Sequence, residues 1–109
     1  MYSTLIVARM RPQDDTDVAG LFDAFDGTEM PHRMGTRRRE LFRYNGLYFH
    51  LQDFDGPHGG EAIEEAKTDP RFVDISARLR PFIDPYDPAT WRSPADAMAR
   101  RFYHWEAGA

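Results

Sequence analysis

A chain of 109 residues is long enough for one domain with a real core and too short for two. Its 41% hydrophobic and 29% charged residues suit an ordinary soluble globular protein, and a net charge of −4 argues against general nucleic-acid binding, which needs a basic footprint. Lacking Cys, it has no disulfide framework, thiol nucleophile or thiolate metal site; with no signal-peptide pattern or membrane-length apolar run, a cytoplasmic protein with no membrane contact is expected.

Tyr2 to Met10 alternates as a strand does, and its apolar middle, Leu5, Ile6 and Val7, predicts burial on both faces. Pro12 breaks the run. Asp14, Asp15 and Asp17 suit the cap and first turn of a helix, whose positive end favours carboxylates. Val18, Leu21, Phe22 and Phe25 then follow at i, i+3, i+4, i+7 spacing and give this helix one apolar stripe. Asp26-Gly27-Thr28 stops it, with Gly27 expected in the left-handed region. Thr28 to Gly35 is a connection.

Gly35 to Gln52 holds Asn45-Gly46 between two aromatic and aliphatic runs, a two-residue hairpin signal because both turn positions need φ > 0. That turn sets the register: Tyr44 opposite Leu47, Phe42 opposite Phe49, Leu41 opposite His50, Arg39 opposite Gln52. Alternation then puts Phe42, Tyr44, Leu47, Phe49 and Leu51 on one face. The other face carries Arg39, Leu41, Arg43, Tyr48, His50 and Gln52, the mixture of donors and apolar spacers that suits a ligand-lined wall.

Asp53 to Gly60 is a loop by composition, with Gly56 to Gly60 an ordinary turn or a lid. Glu61 to Thr68 reads as a short helix with Ala62, Ile63 and Ala66 inward. Asp69-Pro70 caps another, whose buried stripe is Phe72, Ile75, Ser76 and Leu79. Pro81 to Pro94 is irregular but packed, through Phe82, Ile83, Tyr86 and Trp91. Ala97 to Trp105 reads as a last strand.

The order strand, helix, strand, strand, helix in two pieces, strand predicts an α+β, ferredoxin-like βαββαβ domain over residues 1–109. Its four-stranded antiparallel sheet carries the helices on one face. A bare face of Phe42, Leu47, Phe49 and Leu51 is too apolar for a monomer, so a sheet-to-sheet homodimer is expected. Arg39, Tyr48 and His50 then turn toward the helices; hydrophobicity alone makes this assignment, and the reverse stays open.

On that face Arg39 and His50 can touch one ligand, and Asp26 can reach it from the rim. A guanidinium, an imidazole and a carboxylate around an apolar cavity suit proton transfer beside a carbonyl. The same three also read as hydrogen-bonded residues of a partly solvated sheet and a helix end. Arg37-Arg38-Arg39 reads as a docking patch for an acidic carrier or as a solvated edge. His32, His50, His58 and His104 lack metal-ligand spacing, so no metal is expected.

Several segments are familiar: Tyr2 to Met10, Asp26 to Pro31, Gly35-Thr-Arg-Arg-Arg-Glu-Leu-Phe-Arg-Tyr, Leu47-Tyr-Phe-His-Leu, Asp69-Pro-Arg-Phe72 and Phe102-Tyr-His-Trp105. Through them the chain resembles the small polyketide cyclases of the tetracenomycin F2 cyclase type, from aromatic (type II) polyketide pathways making antibiotics or spore pigments. The resemblance implies a ferredoxin-like dimer and a cofactor-free intramolecular aldol cyclisation of a poly-β-ketone, with loss of water to an aromatic ring. It places the catalytic residues at Asp26, Arg39 and His50. Phe25, Leu41, Arg43, Tyr48 and Trp105 are expected to line the substrate's pocket. One departure is that a family member carries His immediately before that Asp, where this chain has Phe25. A cofactor-independent anthrone-type monooxygenase of the same fold is the alternative, and a non-catalytic polyketide-steering subunit is another. Contact with an acyl carrier protein or synthase is a further expectation.

Overall fold

The computed structural model describes residues 2–92 and 94–108. Strands β1 (Tyr2–Met10), β2 (Thr36–Tyr44), β3 (Leu47–Phe54) and β4 (Ile83–Pro85) form one antiparallel sheet in the order β2-β3-β1-β4. Helices α1 (Asp15–Asp26), α2 (Met30–Arg33), α3 (Gly59–Ala66) and α4 (Pro70–Leu79) complete a ferredoxin-like domain. Short 3-10 turns at Pro12–Asp14 and Pro94–Ala97 flank these elements. Among the described residues, no helix is long and apolar enough to cross a membrane.

The β2-β3 hairpin turns at Asn45 and Gly46, with φ of 50° and 78°, the left-handed pair that such a two-residue turn demands. Every cross-strand pair expected from that turn is present: Tyr44 with Leu47, Phe42 with Phe49, Leu41 with His50, Arg39 with Gln52. Alternation therefore sends Tyr48, His50, Gln52 and Phe54 into the interior, beside Ile6, Ala8 and Met10 of β1. There Ala8, Met10, Tyr48 and Phe54 pack with Val18, Phe22 and Phe25 of α1, Ile63 of α3 and Ile75 of α4.

The opposite sheet face stays open. Phe42 and Tyr44 are 51% and 68% exposed, and Leu5, Val7, Leu47, Phe49 and Leu51 are half-buried. β1 is thus sealed on one face only, where its apolar middle had predicted two. On the open face Asp53 is buried between Ser3, whose hydroxyl donates to it, and Arg38, whose Nε lies 2.8 Å from its Oδ2.

Three local expectations change. Asp14 starts α1 without a side-chain cap and instead pairs with Arg11 at 2.9 Å. Gly27 ends it in the right-handed region, its N–H donating to Ala24 and Phe25 carbonyls. α3 begins two residues early, at Gly59, because the glycine permits a close approach to the Phe54 ring.

The fourth strand lies elsewhere than predicted. Ala97 to Trp105 makes one isolated bridge, Ile6 with Met98, and one bond from Ala99 N–H to the Leu5 carbonyl, then leaves the sheet. Phe102, Tyr103 and Trp105 are exposed. β4 comes from the proline-rich stretch, pairing Ile83, Asp84 and Pro85 with Met10, Arg9 and Ala8. Proline lacks the N–H of a central strand but is tolerated at a sheet edge, where β4 sits.

Two glycine substitutions separate close approach from chain entropy. A Cβ at Gly59 runs into the core ring of Phe54, so Gly59→Ala should destabilise the fold by about 1–3 kcal/mol through overpacking. Gly20, inside α1, has nothing within 4 Å of such a Cβ. Gly20→Ala should stabilise by about 0.5–1 kcal/mol. Urea unfolding midpoints of the two variants, moving in opposite directions, check both.

Candidate active site

A cavity of about 800 Å³ opens between the inner sheet face and the helices. β1 and β3 supply Ile6, Ala8, Tyr48, His50 and Gln52; α1 supplies Phe22 and Phe25; α4 supplies Phe72, Ile75 and Leu79. Arg39 enters from β2. Its side chain is only 8% exposed, and a buried guanidinium needs partners to offset desolvation.

It has two. Asp26, the last residue of α1, receives Nε at 3.0 Å and Nη2 at 2.9 Å, a side-on pair. Nη1 lies 2.8 Å from His50 Nε2. The Phe22 and Phe25 rings flank the cation, with centroids 4.9 and 5.7 Å from Cζ. Arg39 is thus fixed from three sides.

These contacts dictate the state of His50. Burial, then the adjacent Arg39 charge, push its pKa down to about 3, so the ring is neutral at physiological pH. A guanidinium only donates, so Nε2 must accept and the proton sits on Nδ1. Nδ1 has no hydrogen-bond partner among the described residues, leaving a donor available to a ligand. The Phe22 ring packs edge-on at 5.1 Å and holds the imidazole in place. The Tyr48 ring also lies edge-on to it, with centroids 6.3 Å apart, and burial drives its phenol pKa up, so it too is a neutral donor.

The expected pocket residues divide. Phe25 and Tyr48 line the cavity with Arg39 and His50. Asp26 does not line it; it grips Arg39 from the rim with a 39% exposed side chain. Leu41 and Arg43 border a separate hollow of about 300 Å³ by the start of α1, with Tyr48 common to both. Arg43 is drawn there by Asp15, 2.9 Å away, whose carboxyl it holds below the usual range. Trp105 is 70% exposed in the extended tail, away from the cavity, because the strand expected to carry it inward does not form.

Sequence reasoning missed Lys67, Arg80, Trp91 and Arg92, which also line the cavity. They follow helix ends or sit in the irregular segment, where no periodicity announces facing. The three-arginine run is not a free patch: Arg37 pairs with Asp55 at 3.3 Å, Arg38 with Asp53, Arg39 with Asp26. Among the described residues, no group of three or more His, Asp or Glu is placed to hold a metal ion.

Comparison with known proteins points one way. The family model described as polyketide synthesis cyclase matches residues 2–106. The chain is 45% identical over 106 residues to polyketide synthase CurG of Streptomyces cyaneus, covering 97% of this chain and 98% of that protein. It is 38% identical to tetracenomycin F2 cyclase of Streptomyces glaucescens, covering 97% and 95%. The solved structure of that cyclase superposes with a TM-score of 0.92 over 99% of this chain and 100% of its own. An antibiotic biosynthesis monooxygenase, 11% identical with a TM-score of 0.51 over 76% of this chain and 86% of its own, shares the fold alone.

Burying a neutral imidazole makes stability pH-dependent. With a folded pKa of about 3 against about 6.5 in the unfolded chain, only the unfolded state binds the proton between these values. Stability therefore falls as pH drops below about 6.5, by at most about 1.4 kcal/mol per pH unit. His50→Gln keeps an acceptor for Arg39 but does not titrate. Its urea midpoint should be flatter than wild type between pH 5 and 6.5; parallel profiles would show that His50 is not the buried neutral group.

Proposed function

The chain belongs to the polyketide synthesis cyclase family, and we propose that it closes a ring in a reactive poly-β-ketone by intramolecular aldol reaction and loss of water. The observation that carries this reading is the meeting of Arg39 and His50 on the wall of a largely apolar cavity of about 800 Å³. That volume is ample for a folded polyketide.

A guanidinium has five N–H donors. Nε, Nη1 and Nη2 each commit one to Asp26 or His50, leaving one on each terminal nitrogen. These two form a donor pair for an enolate or alkoxide oxygen, and His50 Nδ1–H, on the side of the ring away from Arg39, can donate to a second oxygen of the polyketone. His50 acts as a neutral hydrogen-bond donor, since Arg39 occupies its basic nitrogen.

The proton carrier is Asp26: both its oxygens accept from Arg39, and Oδ2, which takes only Nε, keeps a lone pair at the partly exposed rim. It takes a proton from a methylene between two carbonyls, and the enolate oxygen settles on Arg39. The enolate carbon attacks a carbonyl folded against it, one C–C bond forms, and the alkoxide recovers the proton. Asp26 then removes a second proton from the same carbon and returns it to the departing hydroxyl. One water leaves, enolisation of the remaining ring ketones makes the ring aromatic, and no cofactor is called for. Because such methylenes are already acidic, much of the catalysis is orientation: Phe22, Phe25 and Phe72 shape the cavity in which the chain folds.

The open sheet face supports a homodimer in which two copies cover each other's Phe42 and Tyr44. Light scattering should show a dimer, and Phe42→Glu should shift it toward monomer without altering the helix content.

The activity test supplies an unstable polyketone from a minimal synthase and follows products with and without this chain. Arg39→Ala should lower the cyclisation rate by about 10²-fold, the cost of an oxyanion donor. Asp26→Asn should lower it by about 10²-fold, as loss of a general base does. Both should broaden the mixture of rings. Full rate with unchanged product in Arg39→Ala and His50→Ala would overturn the assignment. The product should form under nitrogen; a requirement for oxygen would favour monooxygenase chemistry.

A further inference from the structure

The chain carries 18 acidic and 14 basic residues, yet its main cavity has the opposite sign. Arg39, Lys67, Arg80 and Arg92 line it, and among the described residues no Asp or Glu does. Three of these cations are answered by carboxylates outside the lining: Arg39 by Asp26 at 2.9 Å, Lys67 by Glu64 at 2.7 Å, Arg92 by Asp96 at 3.9 Å. Arg80, immediately after α4, has no hydrogen bond or ion pair among the described residues. It is exposed, so it stands at the rim.

We propose that the substrate carries an oxyanion at one end and that Arg80 is its anchor. This rests on the cyclase reading above and adds the charge of the substrate to it. An unpartnered guanidinium at the mouth of an apolar cavity focuses positive potential on the entrance and raises the local concentration of anions. Its planar fork matches a carboxylate or a phosphate equally. The oxyanion is either the carboxylate of a free polyketide acid or the phosphate of a pantetheine tether. With one end held at Arg80 and the enolate oxygen at Arg39, the intervening chain is held at two points. Such holding restricts which methylene meets which carbonyl, and hence which ring closes.

Calorimetry with four probes tests this: 1-hydroxy-2-naphthoate, its methyl ester, 4′-phosphopantetheine and pantetheine. Wild-type protein should prefer one anion over its neutral partner by about tenfold, as expected for a charge-assisted bidentate contact. Arg80→Met should abolish that preference and leave the neutral probe's affinity unchanged; Arg80→Glu should invert it. A preference confined to the naphthoate pair identifies a free acid, and one confined to the pantetheine pair identifies a tether. Anion preference unchanged in Arg80→Met, or no binding of any probe, overturns the anchor. The cyclase reading fails separately: wild-type protein would then keep an Arg80-dependent anion preference yet form no ring from a polyketone.

Discussion

The structure depends on one buried cation. Arg39 reaches from β2 into an interior walled by Phe22 and Phe25, where an unpaired guanidinium would be strongly destabilising. Its attachment to Asp26 on one side and His50 on the other ties the end of α1 to two neighbouring strands. Asp26 is itself badly placed by local rules, since a helix C-terminus carries partial negative charge and the last turn of α1 has no basic residue. Arg39 supplies from the sheet the cation that the helix lacks. Helix end and strand are therefore one constraint, and an Arg39 variant would disturb packing along with the reactivity proposed for it.

Much of this was legible in the sequence, because it follows from period and turn type. Asn45-Gly46 fixes the hairpin, the hairpin fixes parity, and parity alone puts Arg39 and His50 on the same side. The stripe of Val18, Phe22 and Phe25 faces α1 onto that side, and its length brings Asp26 to the rim. Illegible were features set by distant partners. The aromatic alternation of Phe102 to Trp105 looks like a strand, but a strand exists only where an edge accepts it, and β1 offers the tail only Leu5 and Ile6. Ile83, Asp84 and Pro85 take the Ala8 to Met10 part of that edge, although Asp and Pro are poor strand formers. Leu41 and Arg43 share parity with Arg39 yet border a different hollow, because parity gives a face and not a position along it.

The two faces of the sheet have opposite characters for related reasons. The inner face holds charge and imidazole in a cavity, which the helices span without filling. The outer face exposes Phe42 and Tyr44, with Ser3, Asp53 and Arg38 as a polar knot near one end. A buried carboxylate on an otherwise apolar surface contributes little net stability, but it penalises any strand slip that would strand it unpaired. The register that sets Arg39 opposite Gln52 is thus guarded twice, by the turn at one end of the hairpin and by Asp53 near the other.

The state of His50 bears on what kind of catalyst this is. An imidazole with a pKa of about 3 is a weak base, and its basic nitrogen already faces Arg39. A site built for demanding proton abstraction would place that nitrogen toward substrate and raise its basicity with a carboxylate behind the ring. Here the carboxylate stands behind the guanidinium instead, and the imidazole is turned into a donor. The arrangement favours stabilising negative oxygen over removing a reluctant proton, which suits a substrate whose methylenes ionise readily and whose difficulty is choosing among many equivalent closures. In such a site selectivity comes from the cavity wall and the fixed donors together, so mutations of apolar wall residues should redirect product as effectively as mutations of the polar ones.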